Sequence, residues 1–457
     1  MPKHILLMVA DDLGRDLKRH GNTLGNTPHL DALADLGTDF SRAFCTTASC
    51  SASRSVLYTG LHNHQTGHYG HNHGFHHFTT LDGIPTLPAL FNAAGWYTGI
   101  IGKCHVGPKH VYPWEVNQQG GFSHRDVTEM ARRAETFYAG SGNRNTCLIM
   151  GYADPHRDGT PGGFATDLDI RPEDVRVPAF LTDLPETREE LVEYHRAVHR
   201  LDQGVGMMVD LLKRTGRWDD TLVIFLSDNG IPFLNSKTTV YDAGLHLPLV
   251  VRRPGQKAGI TNPNLVAWTD ILPTCLDYAG IDADPGQRRG RSVLPILEQT
   301  AELPDWDRVF ASHTFHEVTN LYPVRVLRTR RFKYHRNVLW KLDFPFSSDL
   351  YASRSFQALR RAGIERIGER PFSAYLNRPL EQLFDIQADP HEIHNLAGDP
   401  AHADTLAAMR AEVTAWQRAT DDPWLLRDGT SERTLREYIK AGLAVPERHD
   451  MAFALGS

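Results

Sequence analysis

The sequence predicts an α/β protein, a large mixed, mostly parallel sheet sandwiched by helices, with a smaller α+β domain at its C-terminal end. Three observations carry that expectation. The apolar runs Ile5 to Ala10 and Thr221 to Leu226 have the texture of buried parallel strands, and each ends in acidic and turn residues, Asp11-Asp12-Leu13-Gly14 and Ser227-Asp228-Asn229-Gly230. Between them Leu191, Tyr194, Val198, Leu201, Val205, Met208 and Leu212 recur at spacings of three and four, the apolar stripe of one long helix packed on a sheet. Beyond Pro304 the texture changes to short alternating strands.

Along the chain, Thr98 to Ile101 and Leu247 to Val251 add strand candidates, the first running into Gly102-Lys103-Cys104-His105. Gly120 to Gly163 and Ala165 to Glu190 are polar and rich in Pro and Gly, and read as long loops around a site. Val309 to Ala311, Val324 to Leu327 and Phe332 to Tyr334 look like antiparallel strands, and Leu406, Met409, Val413 and Trp416 mark an amphipathic helix. The expected division is a catalytic domain over 1–304 and a smaller domain over 305–457.

The chain has 457 residues, more than one hydrophobic core usually accommodates. Lys plus Arg number 49 against 55 Asp plus Glu, so no overall basic excess points to nucleic acid or an anionic membrane as the main partner. No apolar run is long enough to cross a bilayer and the N-terminus shows no signal-peptide pattern, which predicts a cytoplasmic protein. The five cysteines are odd in number and show no paired spacing for zinc or disulfides, leaving a chemical role open for at least one.

Asp11, Asp12, Asp228 and Asn229 are hard oxygen donors at two strand ends, a set suited to Ca²⁺ or Mg²⁺ rather than zinc. Adjacent side chains on a regular strand point to opposite faces, so Asp11 and Asp12 converge only if the strand ends between them.

The most specific stretch is Cys50-Ser51-Ala52-Ser53-Arg54-Ser55-Val56-Leu57-Tyr58-Thr59-Gly60, which resembles the sulfatase signature, with Ala52 where the commonest form has Pro. Gly102 to Gly107, Asp154-Pro155-His156, Ser227 to Gly230 and Lys237-Thr238 come in that family's order. The resemblance implies an alkaline-phosphatase-like fold and a formylglycine made from Cys50 by a formylglycine-generating enzyme. It further implies a divalent cation, expected to be Ca²⁺, on Asp11, Asp12, Asp228 and Asn229. Arg54 would hold the nucleophile, Lys103 and Lys237 would bind sulfate oxygens, His105 would contact the hydrated aldehyde and help collapse the sulfated intermediate, and His156 would be the general acid.

Longer runs resemble one branch, the N-sulfoglucosamine sulfohydrolases. They include His76-His77-Phe78, Ser227 to Phe233, His316-Glu317-Val318-Thr319 and Asp422-Pro423-Trp424. The implied reaction is hydrolysis of the N–S bond of N-sulfoglucosamine or a related sulfamate, with a small sulfated sugar as partner and His76, His316 and Glu317 on the substrate side. At 237 the chain has Lys where characterised members of that branch tend to carry Arg, which differs in reach and fork geometry. Competing readings are an O-sulfatase on a sugar or aryl ester, a phosphonate monoester or phosphodiester hydrolase, and a non-catalytic sulfated-glycan binder. A homodimer is compatible with the sequence, which identifies no interface.

Overall fold

The computed structural model describes residues 2–157, 168–283 and 286–425, with 436 and 440–442 beyond them. Nine strands form the first sheet: β1 (His4–Ala10), β2 (Thr38–Phe44), β3 (Tyr97–Gly102), β4 (Val116–Gln118), β5 (Thr146–Gly151), β6 (Thr221–Ser227), β7 (His246–Leu247), β8 (Leu249–Arg252) and β9 (Ile260–Ala267). Their order is β4-β3-β5-β1-β6-β8-β2-β9, with β7 continuing the edge of β2 that β8 occupies. β4, β3, β5, β1 and β6 run parallel, whereas β8 is antiparallel to both β6 and β2.

β1 is buried along its whole length because it has sheet neighbours on both edges and helices on both faces. Ile5, Leu7 and Val9 enter one apolar cluster and Leu6, Met8 and Ala10 the other, the period-two alternation of a strand. The helices Pro185–Arg214, Val127–Gly140 and Pro28–Asp35 cover the second face. Cys50–Thr59, Leu87–Ala93 and Ile271–Ala279 cover the first. Register aligns Val9 with Gly151 and Ala10 with Ser227, so the carboxyl ends of four parallel strands meet along one edge. That edge is where open α/β sheets bind ligands.

One expectation is corrected here. Gly120 to Gly163 is not a long loop, since it contains the helix Val127–Gly140 and β5, a fully buried strand directly beside β1. Ala165 to Glu190 likewise carries the start of the helix Pro185–Arg214, and residues 158–167 lie outside the described ones.

Beyond residue 304, Arg308–His313, Val324–Thr329, Phe332–Asn337 and Glu381–Asp385 form an antiparallel sheet. The helix Ala403–Ala419 packs on it through Leu406, Met409, Val413 and Trp416. The other face of this sheet joins the first, as Val309, Ala311, Val324 and Val326 share one apolar cluster with Leu265 and Val266. Among the described residues no helix is long and apolar enough to cross a membrane.

Candidate active site

The strand ends place the acids. β1 stops at Ala10, and Asp12 takes φ 66°, a left-handed turn that brings its carboxylate round beside that of Asp11. Asp11 N donates to the Asp154 carbonyl at 3.0 Å, and Asp12 N to Asp228 Oδ1 at 3.2 Å. Carboxylate oxygens of Asp11, Asp12 and Asp228 lie within 4.8 Å of one another, all buried. Asp11 Oδ1 and Asn229 Oδ1 are buried with no hydrogen-bond partner. Hard oxygen donors left unsatisfied beside clustered carboxylates fit a divalent cation, and Asp11, Asp12, Asp228 and Asn229 are the residues that would hold it.

Cys50 is the first residue of the helix Cys50–Thr59, wholly buried, with Sγ 3.8 Å from Asp12 Oδ1. The helix is buried all round, and the polar groups facing the site are partnered: Ser53 Oγ donates to the Asp228 carbonyl at 2.6 Å, and Arg54 Nε to Asp228 Oδ2 at 2.7 Å. Burial pushes the Cys50 thiol well up, against the pull of Lys237 and Lys103, so an unmodified Cys50 is a protonated and poor nucleophile at neutral pH.

Lys103 reaches Asp11 Oδ2 from the end of β3. Its position depends on close approach of two backbones. Gly102 has φ 89°, and a Cβ at Gly151 would lie 2.0 Å from the Lys103 carbonyl oxygen. Lys237 Nζ bonds Asp12 Oδ2 at 2.9 Å and Asp349 Oδ2 at 2.8 Å, and faces His156 Nε2 at 3.2 Å. Three buried carboxylates therefore meet three cations, Arg54, Lys103 and Lys237.

The charges respond to this crowding. Burial, then the charge of Asp11, lifts Asp228 to about 7 despite Arg54. In Asp11 the upward push of burial is overcome by Lys103, and the carboxyl sits below its ordinary range. Burial also lowers His156, and the Lys237 charge lowers it further.

The structure brings Asp11, Asp12, Cys50, Arg54, Lys103, His156, Asp228, Asn229 and Lys237 together. His105 borders them with φ 57°, its Nε2 2.9 Å from His73 Nδ1. The three substrate-side candidates are placed less directly. His316 is buried between Ser49 Oγ (2.9 Å) and His71 Nε2 (3.0 Å). His76 Nδ1 accepts from Val318 N at 3.1 Å, and Glu317 Oε1 accepts from Ser348 N at 3.1 Å. They tie the 71–78 and 346–349 segments together, a bracing role in the free protein. Sequence reasoning missed Asp349, which has no local motif, and His71 and His73, whose signal was the density of histidine between 62 and 77.

Comparison with known proteins points the same way. Residues 3–281 match the sulfatase family model, and the chain belongs to the sulfatase family. It is a hydrolase of sulfate esters or sulfamates. Residues 233–343 match the model of the N-sulphoglucosamine sulphohydrolase C-terminal region. The chain is 37% identical to human N-sulphoglucosamine sulphohydrolase over 95% of its own length and 94% of that protein. An ulvan-active sulfatase of Formosa agariphila is 28% identical over 92% of this chain and 80% of its own. The structure of BT4656 in complex with its substrate D-glucosamine-2-N,6-O-disulfate superposes with TM-score 0.69 at 18% identity, over 92% of this chain and 98% of that one. The phosphonate monoester hydrolase of Agrobacterium radiobacter gives TM-score 0.70 at 19% identity, over 93% and 98%. These last two establish the alkaline-phosphatase-like fold alone. The sulfatase family generally uses formylglycine and a divalent cation.

Proposed function

We propose that the protein hydrolyses the N–S bond of an N-sulfated amino sugar, N-sulfoglucosamine or a related sulfamate, to inorganic sulfate and free amine. The observation that carries this reading is the 37% identity to human N-sulphoglucosamine sulphohydrolase, which runs through both sheets. Formylglycine at position 50 would supply a nucleophilic hydroxyl, and a divalent cation, Ca²⁺ by its all-oxygen ligand set, would lower the cost of ionising it.

The chain's own residues do the rest. Arg54 holds Asp228 and keeps the carboxylates from repelling one another. Lys103 and Lys237 lie across the carboxylates they neutralise, and a sulfate group entering between them gives both ammonium groups new oxygen partners. An amine anion is a very poor leaving group, so nitrogen must gain a proton as the bond breaks. His156 Nε2 is the atom placed to deliver it. An anionic group beside it raises the proton affinity that burial and Lys237 depress. His105, at the border of the site, would contact the hydrated aldehyde and assist the release of sulfate. A formylglycine-generating enzyme is the maturation partner this requires.

The test is a matched panel of N-sulfo, O-sulfo and phosphonate substrates, with sulfate or phosphate release measured on protein whose residue 50 has been characterised by mass spectrometry. Preference for the sulfamate is expected; a larger kcat/KM for the 6-O-ester or the phosphonate would overturn the assignment.

A further inference from the structure

Imidazoles crowd one wall of the site, outside the oxygen cage. Ring centroids of His71, His73 and His105 are separated by 4.7, 5.1 and 5.0 Å, a nearly equilateral triangle. Three imidazoles bound to one tetrahedral ion at about 2.0–2.1 Å per bond put their centroids about 5 Å apart. One ring nitrogen from each lies within 4.8 Å of the other two. His71 is 8% exposed, and its Nδ1 and that of His105 are buried with no hydrogen-bond partner. The remaining nitrogen of His71 faces His316 Nε2 at 3.0 Å, and His316 Nδ1 faces Ser49 Oγ at 2.9 Å. Such outer partners orient metal-ligating histidines. His73 is exposed, which gives an ion a route from solvent.

We propose that His71, His73 and His105 form a second metal site, separate from the carboxylate cage and suited to a nitrogen-seeking ion of the Zn²⁺ class, and that its occupancy inhibits the enzyme by engaging His105. Ligand chemistry sorts the two sites: carboxylate and amide oxygens favour Ca²⁺ or Mg²⁺, and three neutral imidazoles favour Zn²⁺ and its neighbours. Burial holds His71 and His105 in the neutral form that binds metal. The inhibitory half rests on the role given to His105 above, whereas the binding half does not.

The test uses full-length protein in excess Ca²⁺, with Zn²⁺ uptake followed by equilibrium dialysis and Co²⁺ substitution followed by its visible d–d absorption. Uptake of one equivalent is expected, in Cys50→Ala protein as well, and lost in His73→Ala, an exposed position whose change spares the fold. His316→Ala should weaken uptake by about 10–100-fold. Zn²⁺ should suppress sulfate release over the same concentration range as uptake. Unchanged uptake in both His73→Ala and His71→Phe overturns the site. Uptake without inhibition upholds the site and overturns the inhibitory half, and with it the role of His105.

Discussion

Two walls of one site solve the problem of burying polar groups in opposite ways. On the floor, Asp11, Asp12 and Asp228 remain close together because Lys103, Lys237 and Arg54 are inserted among them and offset their mutual repulsion. On the other wall, His71, His105 and His316 are neutral, since burial lowers each, and Asp349, the carboxylate that pulls His316 the other way, does not outweigh burial and the Lys237 charge. The floor is poised for anions and hard cations; the histidine wall is poised for proton transfer and softer ligands. Removing a group therefore has different consequences on the two sides.

The largest expected effect falls where the walls meet. Cys50→Ala should abolish sulfate release, and unchanged turnover would falsify the nucleophile assignment. His156→Gln tests the bridge between the walls. Loss of a general acid should lower kcat for a sulfamate by about 10²–10⁴-fold. An aryl sulfate with an acidic phenol leaving group should lose far less, and equal losses on both substrates would argue for a binding role instead.

Breaking the floor's pairing is a stability experiment. Arg54→Met leaves Asp228 buried without its cation and should cost about 3–5 kcal/mol in denaturant unfolding. Adding Asp228→Asn should recover part of that loss; a double variant no more stable than the single one would mean that Arg54 contributes by packing.

The histidine wall predicts the smallest effect, one of pH. A histidine whose folded pKa is depressed takes up its proton only on unfolding, so the stability it contributes is lost as pH falls below 6.5. His62 and His68, both buried, are lowered to about 3 by desolvation and obey the same rule as the wall. Each contributes a slope of up to about 1.4 kcal/mol per pH unit between pH 6.5 and 5. Asp202 and Asp228, raised to about 7, and Asp270, raised to about 6, act in the opposite direction but are fewer than the buried histidines. Unfolding free energy should thus decrease from pH 7 to pH 5, and His68→Asn should flatten the slope by about one histidine's share; a flat profile in the native protein would contradict the neutral assignment.

Much of the floor was legible in the sequence because its residues sit at strand ends or inside one continuous motif. A buried parallel strand is a short apolar run, and the residues just past its carboxyl end are held at the ligand edge by topology. Asp11 and Asp228 were placed at that edge by the strand ends, whereas the role of Lys103 came only from the resemblance to the sulfatase family. β5 is equally buried but escaped notice, because Gly142, Asn143 and Asn145 precede it and only Cys147 to Met150 carry its apolar signal. The helix before it offers few core residues, chiefly Met130, Ala134, Phe137 and Tyr138. The histidine wall was harder still. His71, His73, His105 and His316 come from three distant segments whose meeting depends on loops, and Asp349 arrives on a segment whose neighbours carry no periodic pattern at all.

The position of β1 also sets a timetable. Its two neighbours are β5 and β6, so the first strand made is flanked only after Ser227 has been synthesised. At 5–20 residues per second, the chain from Cys50 to Ser227 takes roughly 10–35 s to emerge. Throughout that interval the thiol that ends with no exposed surface is on an unfinished chain, open to an enzyme acting during translation. Once β6 docks and Asp228 meets Arg54, the opportunity closes. The conversion proposed for residue 50 would then be timed by the order of synthesis rather than by any opening of the finished fold.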